Sequence, residues 1–385
     1  TAEGIYKISD GVLSIIADKN TAIPGRNLTF SSFSAPVIES GNVVFGATGS
    51  SNSSGSAQGI YIQRGETLSV VVDNNTPIPG GSGRNFSSFS SYALDRGNVA
   101  FIEYAFDQNG IYLSHDGTLQ LIADRNTPIP GGTGNFSFFG RVALSGDRVV
   151  FYANRGIYLS HDGTLQVIAD HNTPIPGGTG NFSSFGPLAL SGNSVVFSTS
   201  EYGKQGVYQS RDGSLEVVAD TNTNIPGGVG NFTSFSNPRI YGSRIDGDNI
   251  VFNGFGANSQ EGIYIRRAGV LQLVVDNNTK IPGSWRTFDS FSTPVIKGDI
   301  VAFVGNVNIF SSYFTSLTPQ PVGIYIYKGD TLLKVVDFNH RLEGKKLSSL
   351  TLGQDALNKA GSVTFTATFT DGSRGIYRAD LITQP

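Results

Sequence analysis

Residues 156–197 read GIYLSHDGTLQVIADHNTPIPGGTGNFSSFGPLALSGNSVVF, and residues 110–151 are nearly the same text. A G-[IV]-Y triplet opens each copy, at Gly4, Gly59, Gly110, Gly156, Gly206, Gly262, Gly323 and Gly375. The spacing between triplets runs from 46 residues (110 to 156) to 61 residues (262 to 323). Repeats near this length that are rich in strands throughout are typical of propeller blades.

Each copy contains four predicted strands. In the copy at 156, an Asp162-Gly163 turn separates two apolar runs, which predicts a tight hairpin. A polar loop, NTPIPGGTGNFSSF, then leads to a second apolar pair around Gly192, and no segment has useful helical periodicity. The sequence therefore predicts an all-β, seven-bladed β-propeller of four-stranded antiparallel blades. It predicts one domain over residues 1–385, with repeats starting near 4, 59, 110, 156, 206, 262 and 323 and a terminal strand at 375–381.

The strand pattern also predicts an order within the blade. A strand led by proline comes first, the triplet strand third, and a strand ending in aspartate last, so the first blade starts near Pro36. Residues 4–18 form the second half of a blade, and residues 356–367 form a first half. We therefore expect the N- and C-terminal strands to pair and close the ring, which would leave no open sheet edge.

Strand parity separates the loops into two sets. The loops that cross between blades share one face with five insertions, at 46–58, 103–109, 198–205, 253–261 and 304–322. The other face carries only tight turns. A single elaborated face is how a scaffold presents a binding site.

Composition excludes several classes of protein. The net charge of −3 offers no basic surface for nucleic acid. No apolar run of about 18 residues is present, so no membrane span is predicted. Cysteine and methionine are both absent, and the sequence starts at Thr1, which predicts an exported, secreted or extracellular (alternatively periplasmic) protein whose signal has been removed.

The pattern P-x-[AV]-[LI]-x-x-G-x-x-V-x-F followed by G-I-Y resembles exported bacterial tandem-repeat proteins with an N-x-x-G-x-x-x-F core. It is also similar to TolB-type propeller repeats, whose S-P-D-G-x-x-[IVL]-[AV]-F run corresponds here to residues 190–197. The chain departs from the TolB pattern at the Pro-Asp pair and in its long PIPGG loop. The resemblance implies the propeller fold, and it transfers no functional residue.

The most repeated polar group is D-x-N-[TH]. Aspartate and asparagine oxygens two residues apart suit calcium, although two ligands are too few alone; the other interpretation is a cap that holds the turn. The candidate calcium ligands are Asp18, Asn20, Asp73, Asn75, Asp124, Asn126, Asp170, Asn172, Asp220, Asn222, Asp276 and Asn278. No cofactor is predicted besides this calcium alternative.

Departures from the repeat give the candidate ligand residues. The single tryptophan, Trp285, precedes Arg286 in the sixth unit, and residues 338–346 (FNHRLEGKK) replace the usual NTPIPGG in the seventh. An aromatic side chain beside a cation suits a sugar or an anion. The other interpretation is a tryptophan packed between blades for Trp285, and for residues 338–346 the different neighbours of the closing blade. The candidate residues are Trp285, Arg286, Tyr104, Tyr202, His340 and Arg341, the tyrosines lying in two insertions.

No Ser-His-Asp or paired-carboxylate arrangement stands out, so the sequence favours a non-enzymatic protein. We expect a binding or structural propeller that contacts glycan or protein at the cell surface or in the matrix through its elaborated face. Two alternatives remain open: a polysaccharide lyase or hydrolase acting at the propeller mouth, and a self-associating subunit of an extracellular assembly.

Overall fold

The computed structural model describes residues 3–9, 12–51, 55–80, 83–104, 109–199, 205–235, 244–310 and 317–381. The regular elements in these ranges are all β-strands, and none of the described segments is a helix with the length and hydropathy to cross a membrane. Contacts between residues divide the chain into two compact units, Thr1–Asp170 and His171–Pro385.

The first unit contains a hairpin and three blades. The hairpin consists of β1 (Gly4–Ser9) and β2 (Val12–Asp18). Blade 1 contains β3 (Ser32–Phe33), β4 (Val37–Glu39), β5 (Asn42–Ser51), β6 (Gly55–Arg64) and β7 (Thr67–Asp73). Blade 2 contains β8 (Phe89–Asp95), β9 (Asn98–Glu103), β10 (Gly110–His115) and β11 (Thr118–Asp124). Blade 3 contains β12 (Phe139–Ser145), β13 (Arg148–Ala153), β14 (Gly156–His161) and β15 (Thr164–Ala169).

The second unit contains four blades. Blade 4 contains β16 (Leu188–Ser191), β17 (Ser194–Thr199), β18 (Gly206–Arg211) and β19 (Ser214–Asp220). Blade 5 contains β20 (Ser234–Phe235), β21 (Arg244–Asp246), β22 (Asn249–Phe255), β23 (Glu261–Arg267) and β24 (Val270–Asp276). Blade 6 contains β25 (Ser290–Phe291), β26 (Val295–Lys297), β27 (Ile300–Phe310), β28 (Leu317–Lys328) and β29 (Thr331–Asp337). Blade 7 contains β30 (Arg341–Leu342), β31 (Lys345–Leu357), β32 (Val363–Phe369) and β33 (Arg374–Ala379).

Within each blade the strands pair antiparallel in chain order, and in blades 1, 5 and 6 the first strand is split into two short pieces that both pair with the second. The triplet lies in the third strand of blades 1 to 6, and the aspartate of D-x-N ends or directly follows the fourth. The predicted seven-bladed β-propeller with four-stranded antiparallel blades is confirmed. Its first blade begins at Ser32, slightly before the predicted start near Pro36.

The seventh blade differs from the sequence-based expectation. The predicted first half of this blade starts at residue 356, but the long strand β31 already starts at Lys345 and ends at Leu357, and its residues Leu347 and Leu350 are buried. Blade 7 therefore takes its four strands from residues 341–379 alone, with β33 paired to β32. Likewise β1 pairs with β2 in a sheet of their own. The predicted pairing of the terminal strands is thus corrected: among the described strands, each terminal strand pairs with its chain neighbour.

Blades 1 to 6 share a cluster of four aromatic side chains. In blade 4, Phe182 of the crossing loop lies edge-on to Tyr208 of the triplet, with ring centroids 4.9 Å apart, and also contacts Phe185 and Phe197. The other five clusters are Phe30, Phe33, Phe45 and Tyr61; Phe86, Phe89, Phe101 and Tyr112; Phe136, Phe139, Phe151 and Tyr158; Phe232, Phe235, Phe252 and Tyr264; and Phe288, Phe291, Phe303 and Tyr325.

Within each unit these aromatic clusters pack against the aliphatic face of the preceding sheet. In the first unit, the cluster of blade 3 contacts Ile102 and Ile111 of blade 2, and the cluster of blade 1 contacts Ile5 and Ile16 of the hairpin. In the second unit, blades 5 and 6 pack in the same way. The PIPGG…F-x-x-F run is therefore a seam between sheets, because its aromatic residues fill the space between them.

Candidate functional site

The antiparallel order gives each blade two unlike ends. In blade 3 the tight turns 145–148 and 161–164 lie at one end, which we call the plain face. The crossing loop and the turn at 153–156 lie at the other end, which we call the loop face. The insertions of blades 1 and 6 also lie at the loop face, where they prolong the paired strands β5–β6 and β27–β28. This arrangement agrees with the predicted strand parity.

The D-x-N-T motif caps the fourth strand. In blade 4, Asp220 Oδ1 accepts hydrogen bonds from the Asn222 backbone N–H at 3.0 Å and the Thr223 hydroxyl at 2.7 Å. Its Oδ2 accepts a bond from the Asn222 side-chain amide at 3.1 Å. The same pattern recurs at Asp18, Asp124 and Asp276. The carboxylates thus hold the start of the crossing loop, whereas calcium binding by this motif stays a prediction.

We expect Asp220→Ala to lower the free energy of unfolding by about 1–2 kcal/mol, because Asn222 and Thr223 lose a charged acceptor. Urea titration measures the loss. The same samples, melted with calcium and with a chelator, separate the two interpretations of the motif. A cap gives one melting temperature in both buffers. A calcium-dependent rise in the wild type that disappears in Asp220→Ala would contradict the cap and support a metal site.

One cleft of ≈ 250 Å³ lies at the loop face of the second unit. Its lining residues are Ile281, Pro282, Gly283, Ser284, Arg286, Val307, Lys334, Asp337 and Asn339. One wall is the crossing loop before blade 6, and the other is the end of β29. The cleft therefore brings together two departures that the sequence had singled out separately, the Trp285-Arg286 pair and the start of segment 338–346. Trp285 itself is 87% exposed and lies between two lining residues.

Asp337 organises the charges of this cleft. Its Oδ2 accepts a hydrogen bond from Lys334 Nζ at 2.8 Å, and its Oδ1 contacts His340 Nδ1 at 2.6 Å. Burial pushes the pKa of Asp337 upward, but the bonds from Lys334 and His340 outweigh it and leave the pKa below its ordinary value. His340 thus replaces the threonine of the repeat as a cap, with its half-exposed ring bound to the aspartate.

Blade 1 shows the same site filled. The N–H groups of Arg26 and Ser284 occupy equivalent loop positions, since each donates to the carbonyl of the isoleucine three residues earlier. The Arg26 guanidinium reaches Asp73 Oδ2 at 2.7 Å and Asn74 Oδ1 at 2.6 Å, and its side chain is only 15% exposed. In blade 6 a short serine stands in its place, and the cation comes instead from the strand through Lys334.

Lys334 was missed by sequence reasoning, although a signal was present. It pairs in register with Tyr325, and the residues at the same register in the other sheets are all apolar. Those residues are Ile15, Val70, Leu121, Val167, Val217 and Leu273. A lysine at a strand position that is apolar in these six sheets indicates that the side chain has a role other than packing.

The remaining candidate residues lie apart from this network. Tyr104 is 56% exposed at the loop face of blade 2, and its N–H donates to the Ser88 carbonyl. Arg341 is exposed and its guanidinium donates to the Gly344 carbonyl at 3.1 Å. Tyr202 lies outside the described residues. The structure adds an aromatic pair that the sequence did not suggest, Phe138 and Tyr152, with centroids 6.0 Å apart at the loop face of blade 3.

Three groups with metal-ligating atoms meet on the plain face of blade 3. His161 Nε2 lies 3.7 Å from Asp147 Oδ2 and 3.4 Å from Asp162 Oδ2. In blade 2, His115 Nε2 lies 3.3 Å from Asp116 Oδ2 in the same way. These side chains are partly or largely solvent-exposed, as is usual for surface ion pairs.

Glu103 at the loop face of blade 2 is fully buried. Its Oε1 accepts hydrogen bonds at 3.0 Å from both the N–H and the hydroxyl of Ser87, so it anchors the crossing loop. Burial raises the pKa of this carboxyl, and the Ser87 bonds offset only part of the shift. In blade 3 the neutral amide of Asn154 performs the same task for Ser137.

We expect Glu103→Gln to stabilise the protein at neutral pH. A raised pKa in the folded state favours the protonated carboxyl, so the stability it contributes is present at low pH and is lost as pH rises through the folded pKa. Glutamine retains the acceptor for Ser87 without the charge. The gain in unfolding free energy should be on the order of 1 kcal/mol near pH 7 and should shrink toward pH 4. Melting curves across this range check it, and a gain that is constant with pH would rule out the buried charge as its cause.

Solved structures similar to this chain are β-propeller domains. The β-propeller domain of the trilobed protease from Pyrococcus furiosus is 12% identical, with 92% of this chain and 95% of that chain covered and a TM-score of 0.49. An acylaminoacyl peptidase from Pyrococcus horikoshii is 12% identical, with a TM-score of 0.47. The match covers 91% of this chain, and this chain spans about half (52%) of the length of the peptidase.

A search of curated proteins found no match to the chain. A family model, described as a family of unknown function (DUF7453), matches it twice, over residues 1–146 and residues 143–385. The two matches together span the hairpin and all seven blades. The chain belongs to the family of unknown function DUF7453.

Proposed function

We propose that this protein is a non-enzymatic binding propeller that contacts a glycan or protein ligand through its loop face, with the blade 6 cleft as the main contact site. One observation carries the proposal. The two strongest departures from the repeat, around Trp285 and at 338–346, line or border the same cleft. Elsewhere the repeat residues are engaged in caps and aromatic packing, which a scaffold needs irrespective of its ligand.

The character of this site supports binding. Ligand sites are concave, and a few placed polar groups give them specificity. Here the polar groups are Arg286, Lys334, Asp337 and Asn339, and Trp285 stands exposed beside them. An extracellular location, expected from the sequence, is part of the proposal.

The absence of cysteine permits a direct test of which face makes contact. Val229 lies in the crossing loop before blade 5 and is 84% exposed, and Val270 follows the plain-face turn of the same blade and is 56% exposed. The variants Val229→Cys and Val270→Cys each accept one bulky polyethylene glycol maleimide. Unmodified and modified proteins are then applied to a glycan array and tested for size by native mass measurement.

We expect the modified Val229→Cys protein to lose its binding to the glycan array. The modified Val270→Cys protein should still bind. If only the modified Val270→Cys protein loses binding, or if the two modified proteins bind equally well, the loop face is not the contact surface. Release of new reducing ends from a bound polysaccharide would favour the enzyme alternative. A stable oligomer with no ligand on the array would favour the assembly alternative.

A further inference from the structure

We propose that the blade 6 cleft binds one sugar unit that carries a negatively charged group, a carboxylate or a sulfate. This inference rests on the proposed function and adds the chemical class of the ligand. It follows from the charges left over in the cleft, from its size, and from the contrast with the equivalent site in blade 1.

Arg286 brings to the cleft a cation whose side chain has no partner among the described residues. Across the described ranges no hydrogen bond or ion pair holds the Arg286 guanidinium, while its backbone N–H donates to Ser284 Oγ at 3.1 Å. Arg286 is exposed and lines the cleft. A guanidinium offers a planar fork of donors that matches a carboxylate or sulfate with two parallel bonds.

Lys334 is the second cation of the cleft. Its ammonium carries three protons, and the hydrogen bond to Asp337 uses one of them. Lys334 Nζ also lies against the open side of Gly283, 3.6 Å from where a Cβ on that glycine would stand. The remaining donors of Lys334 are thus at the wall formed by the crossing loop.

Among the described lining residues Asp337 alone is acidic, and its negative charge is already neutralised by its partners. Its two oxygens already accept bonds from Lys334, His340 and the Asn339 backbone N–H. The lining therefore carries two cations and one carboxylate, or one net positive charge. An incoming anion meets this excess charge at a partly enclosed site, where screening by salt is weaker than on an open surface.

The size of the cleft and its rim indicate a sugar unit. Its ≈ 250 Å³ lies below the roughly 300–1,000 Å³ of pockets for drug-sized ligands, so one ring with its substituent is the appropriate scale. Trp285 gives the rim a flat apolar surface, 87% exposed, that can cover the face of a pyranose ring. A free inorganic anion would make no use of this tryptophan.

Blade 1 supplies the counterexample within the same chain. There the Arg26 side chain occupies the position left open by Ser284 and binds Asp73 and Asn74 itself. The variant Ser284→Arg should place a guanidinium beside Asp337, as Arg26 lies beside Asp73, because the serine and Arg26 have equivalent backbone positions. The bond to Asn74 has no counterpart there, since Phe338 follows Asp337. The variant would remove the cleft while preserving the local folding pattern of the repeat.

The experiment is calorimetric titration with matched polymers that differ in charge. Oligogalacturonate is compared with its methyl ester, and dextran sulfate is compared with dextran, so that the two pairs separate a carboxylate from a sulfate. Sodium acetate and sodium sulfate test the anion without a ring. The protein variants are Ser284→Arg, Arg286→Ala and Trp285→Ser, with Arg125→Ala as the control that removes another exposed arginine of the loop face.

We expect the wild type to bind one charged oligomer and not its neutral partner, with free acetate or sulfate far weaker. Ser284→Arg and Arg286→Ala should weaken binding about tenfold or more, which corresponds to about 1.4 kcal/mol. Trp285→Ser should weaken the binding of the oligomers and leave the binding of the free ions unchanged. Arg125→Ala should bind as the wild type does, and melting curves establish that each variant is folded.

Equal affinity for charged and neutral partners would overturn the inference, and so would unchanged binding by folded Ser284→Arg. If the neutral polymer binds and Ser284→Arg abolishes that binding, the cleft remains the contact site and only the ligand class is wrong. If none of these polymers binds while the array shows loop-face binding of another ligand, the inference fails and the proposed function stands. If no ligand binds at the loop face, both the inference and the proposed function are wrong.

Discussion

Replacement of Phe182 by alanine should lower the free energy of unfolding by about 3–5 kcal/mol, the usual cost of removing a buried phenylalanine. Phe182 is 2% exposed and contacts three other rings in blade 4. It comes from a polar loop and not from a strand, yet it fills the centre of the aromatic cluster. The alanine variant leaves a cavity beneath Tyr208 that the surrounding strands cannot close without giving up their hydrogen bonds.

Urea unfolding of Phe182→Ala measures this loss. Phe138→Ala is the matched control, because Phe138 also belongs to a crossing loop but is 46% exposed. We expect the control to cost less than about 1 kcal/mol. Similar losses for the two variants would contradict the structural role of the buried loop phenylalanine, since burial would then not distinguish them.

The second large effect is expected at Gly323, the first residue of the triplet in blade 6. A Cβ there would lie 2.4 Å from the Val336 carbonyl oxygen and 3.2 Å from Asp337 Cα. Both are backbone atoms of the paired strand β29, so the clash cannot be relieved by turning a side chain. We expect Gly323→Ala to cost about 3 kcal/mol, the upper part of the range for overpacking.

Gly353→Ala is the control for this substitution. Gly353 lies in β31 of the same unit, and a Cβ there would meet nothing within 4 Å. Thermal unfolding should show a large loss for Gly323→Ala and no loss, or a small gain, for Gly353→Ala. Because Gly323 pairs with Asp337, the first variant should also weaken binding at the cleft. A Gly323→Ala protein as stable as the wild type would contradict the close packing of β28 against β29.

Gly59 of blade 1 meets the same obstacle, the carbonyl oxygen of Val72 at 2.7 Å, whereas in blades 2 to 5 and in blade 7 a side chain comes first. A Cβ at Gly206 would lie 2.8 Å from Tyr208 Oη, because the tyrosine two residues later folds back over the glycine. The G-[IV]-Y triplet thus couples a missing side chain to a large buried one. This coupling explains why both ends of the triplet recur together along the chain.

The fold could be predicted from the sequence because each repeat contains residues that favour tight turns. Asp162 and Gly163 have φ values of 48° and 68°, the left-handed geometry of the tight hairpin turn that an Asp-Gly pair favours. Blade 7 was harder to predict, since the sequence of β31 departs from the repeat pattern of the other blades. Its pairing with β32 depends on buried leucines whose significance appears only when the neighbouring sheet is known.

The candidate site could be predicted only in part. Trp285, Arg286 and segment 338–346 stood out because they broke the repeat. The sequence could not show that they meet, since residues 281–286 and 334–339 are brought together by strand register and by the return of the crossing loop. Ser284 was uninformative until Arg26 was seen to fill the same position in blade 1.

The central claim is that the blade 6 cleft binds an anionic sugar unit at the loop face. A crystal structure of the protein with the charged oligomer that binds in the titration tests it most directly. We expect one sugar ring over Trp285 with its carboxylate or sulfate oxygens at about 2.7–3.0 Å from Arg286 and Lys334 nitrogens. A sugar bound elsewhere, on the plain face or at the D-x-N caps, with the cleft empty, would contradict it.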